Sequence, residues 1–124
     1  MKILVVDDSR IMRSIIKNSI KSKNIADEDI YDAEDGEAAI KIMDSVDIGI
    51  LLVDWNMPKL NGLDLVKKVR AMEKYKEIPI VMITSEAAKY NVMEALKAGV
   101  SDYIVKPISG STLESKLSKY IQQE

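Results

Sequence analysis

The chain contains no cysteine, no histidine and no phenylalanine. The first two absences exclude disulfides, thiolate nucleophiles, imidazole acid–base chemistry, and zinc sites built on Cys or His. Chemistry is left to carboxylates, hydroxyls, lysines, backbone groups or a metal bound by oxygen. The lack of phenylalanine excludes no function. Neither sign of charge dominates: 18 Lys and Arg against 20 Asp and Glu give a formal net charge of −2. There is therefore no basic footprint for nucleic acid or for an anionic membrane. No apolar run approaches the ~18 residues of a membrane span, and no signal-peptide pattern opens the chain. The 124 residues, 47 % of them apolar, make one ordinary domain with a real core. No repeat, low-complexity tract or linker is visible. The last helical segment ends with the chain, so the expectation is a single domain over 1–124.

What is present alternates. Lys2–Val6 is short, continuous and apolar, as a strand buried on both faces should be. From Ser9 the period becomes helical, with Ile11, Met12, Ile15, Ile16 and Ile20 among Arg10, Arg13, Lys17 and Lys21. Ile30–Ala33 reads as a more polar strand near an edge. Asp35 is a helix N-cap ahead of Ala38, Ala39, Ile42 and Met43. Ile48–Val53 is the most apolar run, a central strand that stops at Asp54. Pro58 and Gly62 mark a loop, and Leu63, Val66, Val69 and Arg70 form the next helix. Ile78–Ile83 is a buried strand with Pro79 at its start. Glu86–Ala98 is a helix capped by Gly99, and Asp102–Val105 is a short strand. Ser111-Thr112-Leu113-Glu114 matches a capping box opening a last helix with Leu113, Leu117 and Ile121 on one face. Five such β/α units in a row predict an α/β fold: a mostly parallel, doubly wound sheet of five strands with five helices on both faces.

In such sheets ligands bind beyond the carboxyl ends of the strands, and the unusual polar residues fall there. Asp7 and Asp8 end the first strand, Asp54 the third, Thr84 and Ser85 the fourth, and Lys106 the fifth. Singly, each has an ordinary explanation as a helix cap, a turn residue or a solvated lysine. Jointly they bring three carboxylates, a hydroxyl and an ammonium to one crevice. Clustered carboxylates repel one another, and burial penalises their charged forms. An all-oxygen ligand set suits Mg²⁺ better than zinc. A carboxylate left free can attack a phosphoryl group and form an acyl phosphate. Lys106, Thr84 and backbone N–H groups can neutralise the phosphoryl oxygens.

Leu4-Val5-Val6-Asp7-Asp8-Ser9, Asp54-Trp55-Asn56-Met57-Pro58 with Gly62, Ile83-Thr84 and Val105-Lys106-Pro107 together resemble the motifs of the receiver domains of two-component response regulators, in order and spacing, over essentially the full length. Asp54–Pro58 with Asn61-Gly62-Leu63 is most similar to the single-domain chemotaxis regulators of that family. The resemblance implies a flavodoxin-like sheet in the order 2-1-3-4-5. It implies that Asp54 is the phosphoacceptor, and that Mg²⁺ is bound by Asp8 and Asp54, by Asp7 through water, and by the backbone carbonyl of Asn56. Lys106 would pair with the phosphoryl group. Thr84 and Tyr103 would be the switch pair, Asn56 and Glu86 would tune the dephosphorylation rate, and the Lys106–Pro107 bond would be cis. Trp55 reads as packing and partner surface. Ile108 stands where the family usually has Phe, and Ser85 where Ala is common.

The implied function is a cytoplasmic, monomeric signalling switch rather than a conventional enzyme, catalysing only its own phosphorylation and dephosphorylation. A histidine kinase would donate to Asp54. The output would be binding to a protein target, by the chemotaxis resemblance the flagellar motor switch, with a phosphatase as a further possible partner. A stand-alone receiver of another phosphorelay pathway would share these residues. A haloacid-dehalogenase-type phosphatase needs a second Asp where Asn56 stands, and a cap insertion that is absent. Pseudo-receivers tend to lose the acidic pair, the acceptor or the lysine, all of which are kept. An FMN-binding flavodoxin needs a hydroxyl-rich phosphate loop where Asp7 and Asp8 would repel the phosphate.

Overall fold

The computed structural model describes residues 1–21 and 25–121. Five strands run Ile3–Val6 (β1), Ile30–Ala33 (β2), Ile50–Val53 (β3), Ile80–Thr84 (β4) and Asp102–Val105 (β5). Five helices run Arg10–Lys21 (α1), Gly36–Ser45 (α2), Gly62–Ala71 (α3), Lys89–Ala98 (α4) and Gly110–Leu117 (α5). All neighbouring strands pair parallel in the order β2-β1-β3-β4-β5. The doubly wound five-stranded sheet expected from the alternation is therefore the observed fold, and the polar run Ile30–Ala33 is indeed an edge strand. Among the described residues no helix is long and apolar enough to cross a membrane.

Strand alternation divides the core into two layers. Leu4, Val6, Leu51 and Val53 face α2, α3 and α4, meeting Ala39, Met43, Leu65, Val66, Val69 and Ala95. Ile3, Val5, Ile50 and Leu52 face α1 and α5, meeting Ile16, Ile20, Leu113 and Leu117. Because β1 and β3 are covered on both sides, every one of their residues is buried, which is why they read as unbroken apolar runs. The carboxyl ends of all five strands then open on one edge of the sheet.

Several boundaries differ from the sequence reading. Pro79 lies just outside β4, and its carbonyl accepts from the Leu51 N–H. Ile48 precedes β3 because its N–H is taken by the Tyr75 hydroxyl. α4 begins at Lys89 rather than Glu86, since Glu86 is held in a turn by side-chain bonds described below. The cap of α5 is Ser109, whose Oγ accepts from the Thr112 N–H at 3.1 Å. Ser111 is already helical, so the apparent capping box starting there is displaced by two residues. In α1 only Ile16 and Ile20 are buried, with Met12 packed alongside. Ile11 and Ile15 are exposed, because successive helical residues are rotated about 100° and one stripe takes the sheet. Asp35 caps α2, accepting from the Ala38 N–H at 2.8 Å, and Gly99 ends α4 at φ 115°, both as read from the sequence.

Two polar side chains lock the helical layer. The Arg70 guanidinium is drawn below its ordinary pKa range by burial and donates to the carbonyls of Gly99, Tyr75 and Lys76. Tyr75 is fully buried. Its hydroxyl donates towards the Met43 and Val46 carbonyls (2.9 and 2.8 Å) and accepts from Ile48 N–H (3.2 Å). Tyr75→Phe removes one atom but strands these groups, at a cost of about 1–3 kcal/mol. The expected result is a lower urea midpoint with an unchanged denaturant slope. An unchanged midpoint would show that the three polar groups find other partners.

Candidate functional site

The site is built where β1, β3, β4 and β5 end. Asp7 follows β1 directly. Its N–H donates to the Ala33 carbonyl, while Arg13 Nη1 donates to its carbonyl at 2.7 Å. Its Oδ1 accepts from the Ser9 N–H at 2.9 Å, and Ser9 Oγ accepts from the Met12 N–H in the first turn of α1. Arg13 also grips Asp32 of β2 at 2.7 Å. The sequence reading treated Arg13 only as a polar residue of an amphipathic helix. Its bracing role depends on β2 lying beside β1, which no local pattern reveals.

Asp54 follows β3 and is buried. Its backbone is fixed from both sides: its N–H donates to the Val6 carbonyl, and the Gly62 N–H donates to the adjacent Trp55 carbonyl at 2.8 Å. A Cβ at Gly62 would lie 2.0 Å from the Asp54 carbonyl oxygen, so only glycine lets the start of α3 approach this closely. Asn61 caps that helix by accepting from the Asp64 N–H.

Asp7, Asp8 and Asp54 each contribute a carboxylate oxygen to a group lying within 4.8 Å of one another. Asp7 and Asp54 are buried and Asp8 is exposed. Lys106 reaches in from the end of β5, its Nζ 2.9 Å from Asp7 Oδ2 and 3.0 Å from Asp54 Oδ2. The following Lys106–Pro107 bond is cis. Burial pushes the Asp7 carboxyl above its ordinary pKa, and the Lys106 and Ser9 hydrogen bonds only partly offset this. Burial acts against the Lys106 ammonium, but its bonds to Asp7 and Asp54 outweigh it and hold the ammonium above its ordinary range. The three carboxylates and one ammonium leave local negative charge in excess. Asp54 Oδ1 is buried and accepts no hydrogen bond from the described residues. An all-oxygen set with surplus charge and one unpartnered carboxylate oxygen fits a hard divalent cation.

Thr84 is fully buried at the end of β4, and its Oγ1 accepts from the Glu86 N–H at 3.3 Å. Tyr103 is half-buried on β5 and donates from its hydroxyl to the Glu86 carbonyl at 2.6 Å. Burial, with the nearby charges of Glu86 and Asp54, raises the Tyr103 phenol above its ordinary pKa. Glu86 Oε2 accepts from Asn56 Nδ2 at 2.8 Å, and Oε1 accepts from Asn91 Nδ2 at 3.1 Å. Every site residue read from the sequence therefore lies at this end of the sheet. Asp7, Asp54 and Lys106 touch directly, Thr84, Tyr103 and Asn56 meet through Glu86, and Ser85 is exposed beside them. Arg13 and Asn91 were missed. Asn91 carried no signal beyond being a polar residue in a helical stretch.

The comparisons with known proteins fall on the same ground. The family model described as the response regulator receiver domain matches residues 3–118. The chain is 55 % identical over 118 residues to the chemotaxis protein CheY1 of Helicobacter pylori, covering 94 % of each chain. Among solved structures it is similar to the chemotaxis response regulator CheY4 of Vibrio cholerae, with a TM-score of 0.88, 29 % identity, and coverage of 97 % of this chain and 98 % of that one. It is also similar to the receiver domain of a sensor histidine kinase from Pseudomonas aeruginosa, described with a magnesium ion coordinated in its active site cleft. There the TM-score is 0.85 with 26 % identity, covering 97 % and 96 % of the two chains.

Gly62→Ala tests the close approach of α3 to the Asp54 carbonyl. Overpacking of this kind costs about 1–3 kcal/mol, whereas Gly110→Ala, with nothing within 4 Å of the added carbon, should leave the thermal midpoint unchanged or higher. Equal midpoints for the two variants would contradict the packing described.

Proposed function

This chain belongs to the response regulator receiver domain family, and we propose that it is a chemotaxis-type switch turned on by phosphorylation of Asp54. The observation that carries the reading is the Lys106 ammonium bonded to both Asp7 and Asp54, beside an Asp54 oxygen without a hydrogen-bond partner among the described residues. The chain has no histidine, so a phosphohistidine must come from another molecule, a histidine kinase. In the transfer a carboxylate oxygen of Asp54 attacks phosphorus. The phosphorus–nitrogen bond breaks, and its electron pair returns to the donor imidazole, which takes up a proton.

Asp7, Asp8, Asp54 and the Asn56 backbone carbonyl would hold Mg²⁺. When bound, the ion supplies positive charge against the clustered carboxylates and the phosphoryl oxygens. The chain's own residues do the rest. Lys106 neutralises phosphoryl charge from the side on which it already contacts Asp54. The Thr84 hydroxyl, now accepting from Glu86, turns to donate to a phosphoryl oxygen. That turn releases the Glu86 N–H, and Tyr103 holds the carbonyl of the same residue, so a change at Asp54 reaches β5 and α4. Tyr90, Met93 and Leu96 of α4 and Val105 of β5 are exposed apolar residues on that face. They form the surface whose binding to a target protein changes. The names of the relatives favour a chemotaxis target, and we take the flagellar motor switch as that target.

Acetyl phosphate or phosphoramidate with Mg²⁺ should add one base-labile phosphoryl group to the wild-type chain and none to Asp54→Asn. If the wild type gains nothing, the reading fails. Mg²⁺ alone should change the fluorescence of Trp55, the single tryptophan beside Asp54, and should raise the thermal midpoint by mass action. Asp8→Asn should weaken both responses. A flat titration of the wild type would exclude the metal assignment.

A further inference from the structure

Glu86 is held at four points. Its N–H donates to Thr84 Oγ1 and its carbonyl accepts from the Tyr103 hydroxyl. Its carboxylate accepts from Asn56 on one oxygen and from Asn91 on the other. Asn56 lies two residues beyond Asp54, and Glu86 two residues beyond Thr84. The Asn56–Glu86 contact therefore bridges the loops after two neighbouring strands, the ones that present the acceptor and the hydroxyl. Asp54 and Thr84 are buried, Glu86 is half-buried and Asn56 is exposed. The bridge thus joins an exposed and a half-buried side chain, each two residues along the chain from a buried one. Asn91 is in the first turn of α4. That helix has no side-chain bond at its cap residue Ala88 and buries only Ala95. Its far end is pinned by Arg70 on the Gly99 carbonyl. Asn91 ties its near end to the site through a side-chain bond to Glu86.

We propose that Asn91 is a positioning residue for loss of the phosphoryl group: by fixing Glu86, and through it Asn56, it orients the water that hydrolyses the aspartyl phosphate. The inference rests on Asp54 being the acceptor. In that step a water oxygen bonds to phosphorus and the phosphorus–oxygen bond to Asp54 breaks. The free carboxylate remains, and both water protons leave with the phosphate as dihydrogen phosphate. An attacking water held by fixed polar groups loses its orientational freedom beforehand, which accelerates the step. Because both oxygens of Glu86 have amide donors, removing the Asn91 donor lets the carboxylate rotate and loosens Asn56. Since Asn91 rides on α4, a partner that displaces this helix alters the lifetime of the phosphorylated state by the same contact.

The test uses the full chain phosphorylated with phosphoramidate and Mg²⁺, then freed of donor, with release of inorganic phosphate and Trp55 fluorescence followed in time. Asn91→Ala and the near-isosteric Asn91→Asp should each slow the decay roughly three- to tenfold, as expected for lost orientation at a reacting centre. Adding Glu86→Gln to Asn91→Asp should restore the wild-type rate. In that double variant the Glu86→Gln side chain accepts from Asn56 through its carbonyl and donates through its amide to the carboxylate introduced by Asn91→Asp, so the chain of bonds is rebuilt with one polarity reversed. A merely structural role for Asn91 would show as a lowered thermal midpoint with an unaltered decay. An unaltered decay in Asn91→Asp, or a slow decay that Glu86→Gln leaves slow, overturns the proposal. Failure of the wild type itself to take up a phosphoryl group overturns the Asp54 reading, and the inference with it.

Discussion

The ammonium of Lys106 lies between two buried carboxylates contributed by strands that are not its neighbours. β5 is two places from β3 and three from β1 in the sheet, yet Nζ is within 3.0 Å of both Asp7 and Asp54. That contact is possible only because all the strands are parallel, so that their carboxyl ends open on one edge. It is also needed there. Two acidic side chains buried side by side are costly without a counter-charge, and burial holds the Asp7 carboxyl above its ordinary pKa despite the bond from this ammonium. The charge imbalance that remains makes the site receptive to further positive charge and sensitive to added negative charge.

Much of the surrounding structure serves to hold that arrangement still. Arg13 braces the Asp7 carbonyl, Gly62 lets α3 approach the Asp54 carbonyl, and the apolar faces of β1 and β3 seat both aspartates at the ends of fully buried strands. Against this rigid half stands a looser one. α4 buries a single residue, and its near end is tied to the site through polar bonds at Glu86. Polar bonds near solvent exchange partners at little net cost, whereas packed apolar contacts do not. The charged groups at the strand ends are thus held more firmly than the helix beside them.

The fold was largely legible in the chain. Unbroken apolar runs marked β1, β3 and β4, the more polar Ile30–Ala33 marked an edge, and helical periodicity lay between them. The errors were local ones. Glu86 looked helical because Glu favours helices, but two amides and a tyrosine hold it in the turn. Ser111 looked like a cap because the pattern Ser-x-x-Glu was present, but the chain had already entered the helix from Ser109. The helical spacing of Ile11, Met12, Ile15, Ile16 and Ile20 did not tell which of them face the sheet, and only Ile16 and Ile20 are buried there. Of the candidate site, each aspartate, Thr84, Lys106 and Tyr103 was legible from its place at or near a strand end and from resemblance to the receiver family. Arg13 and Asn91 were not.

The chain's sequence by itself determined its α/β class, the inventory of oxygen and lysine groups available for chemistry, and the absence of any histidine able to donate a phosphoryl group. These follow from composition and period, which are properties of a chain before it folds. Only the tertiary structure decided which polar residues meet. Lys106 reaches Asp7 and Asp54 across 99 and 52 residues of sequence, and Glu86 reaches Asn56 across 30. Strand order sets such encounters, and burial then sets their energetics by removing the water that would otherwise screen each charge and compete for each hydrogen bond.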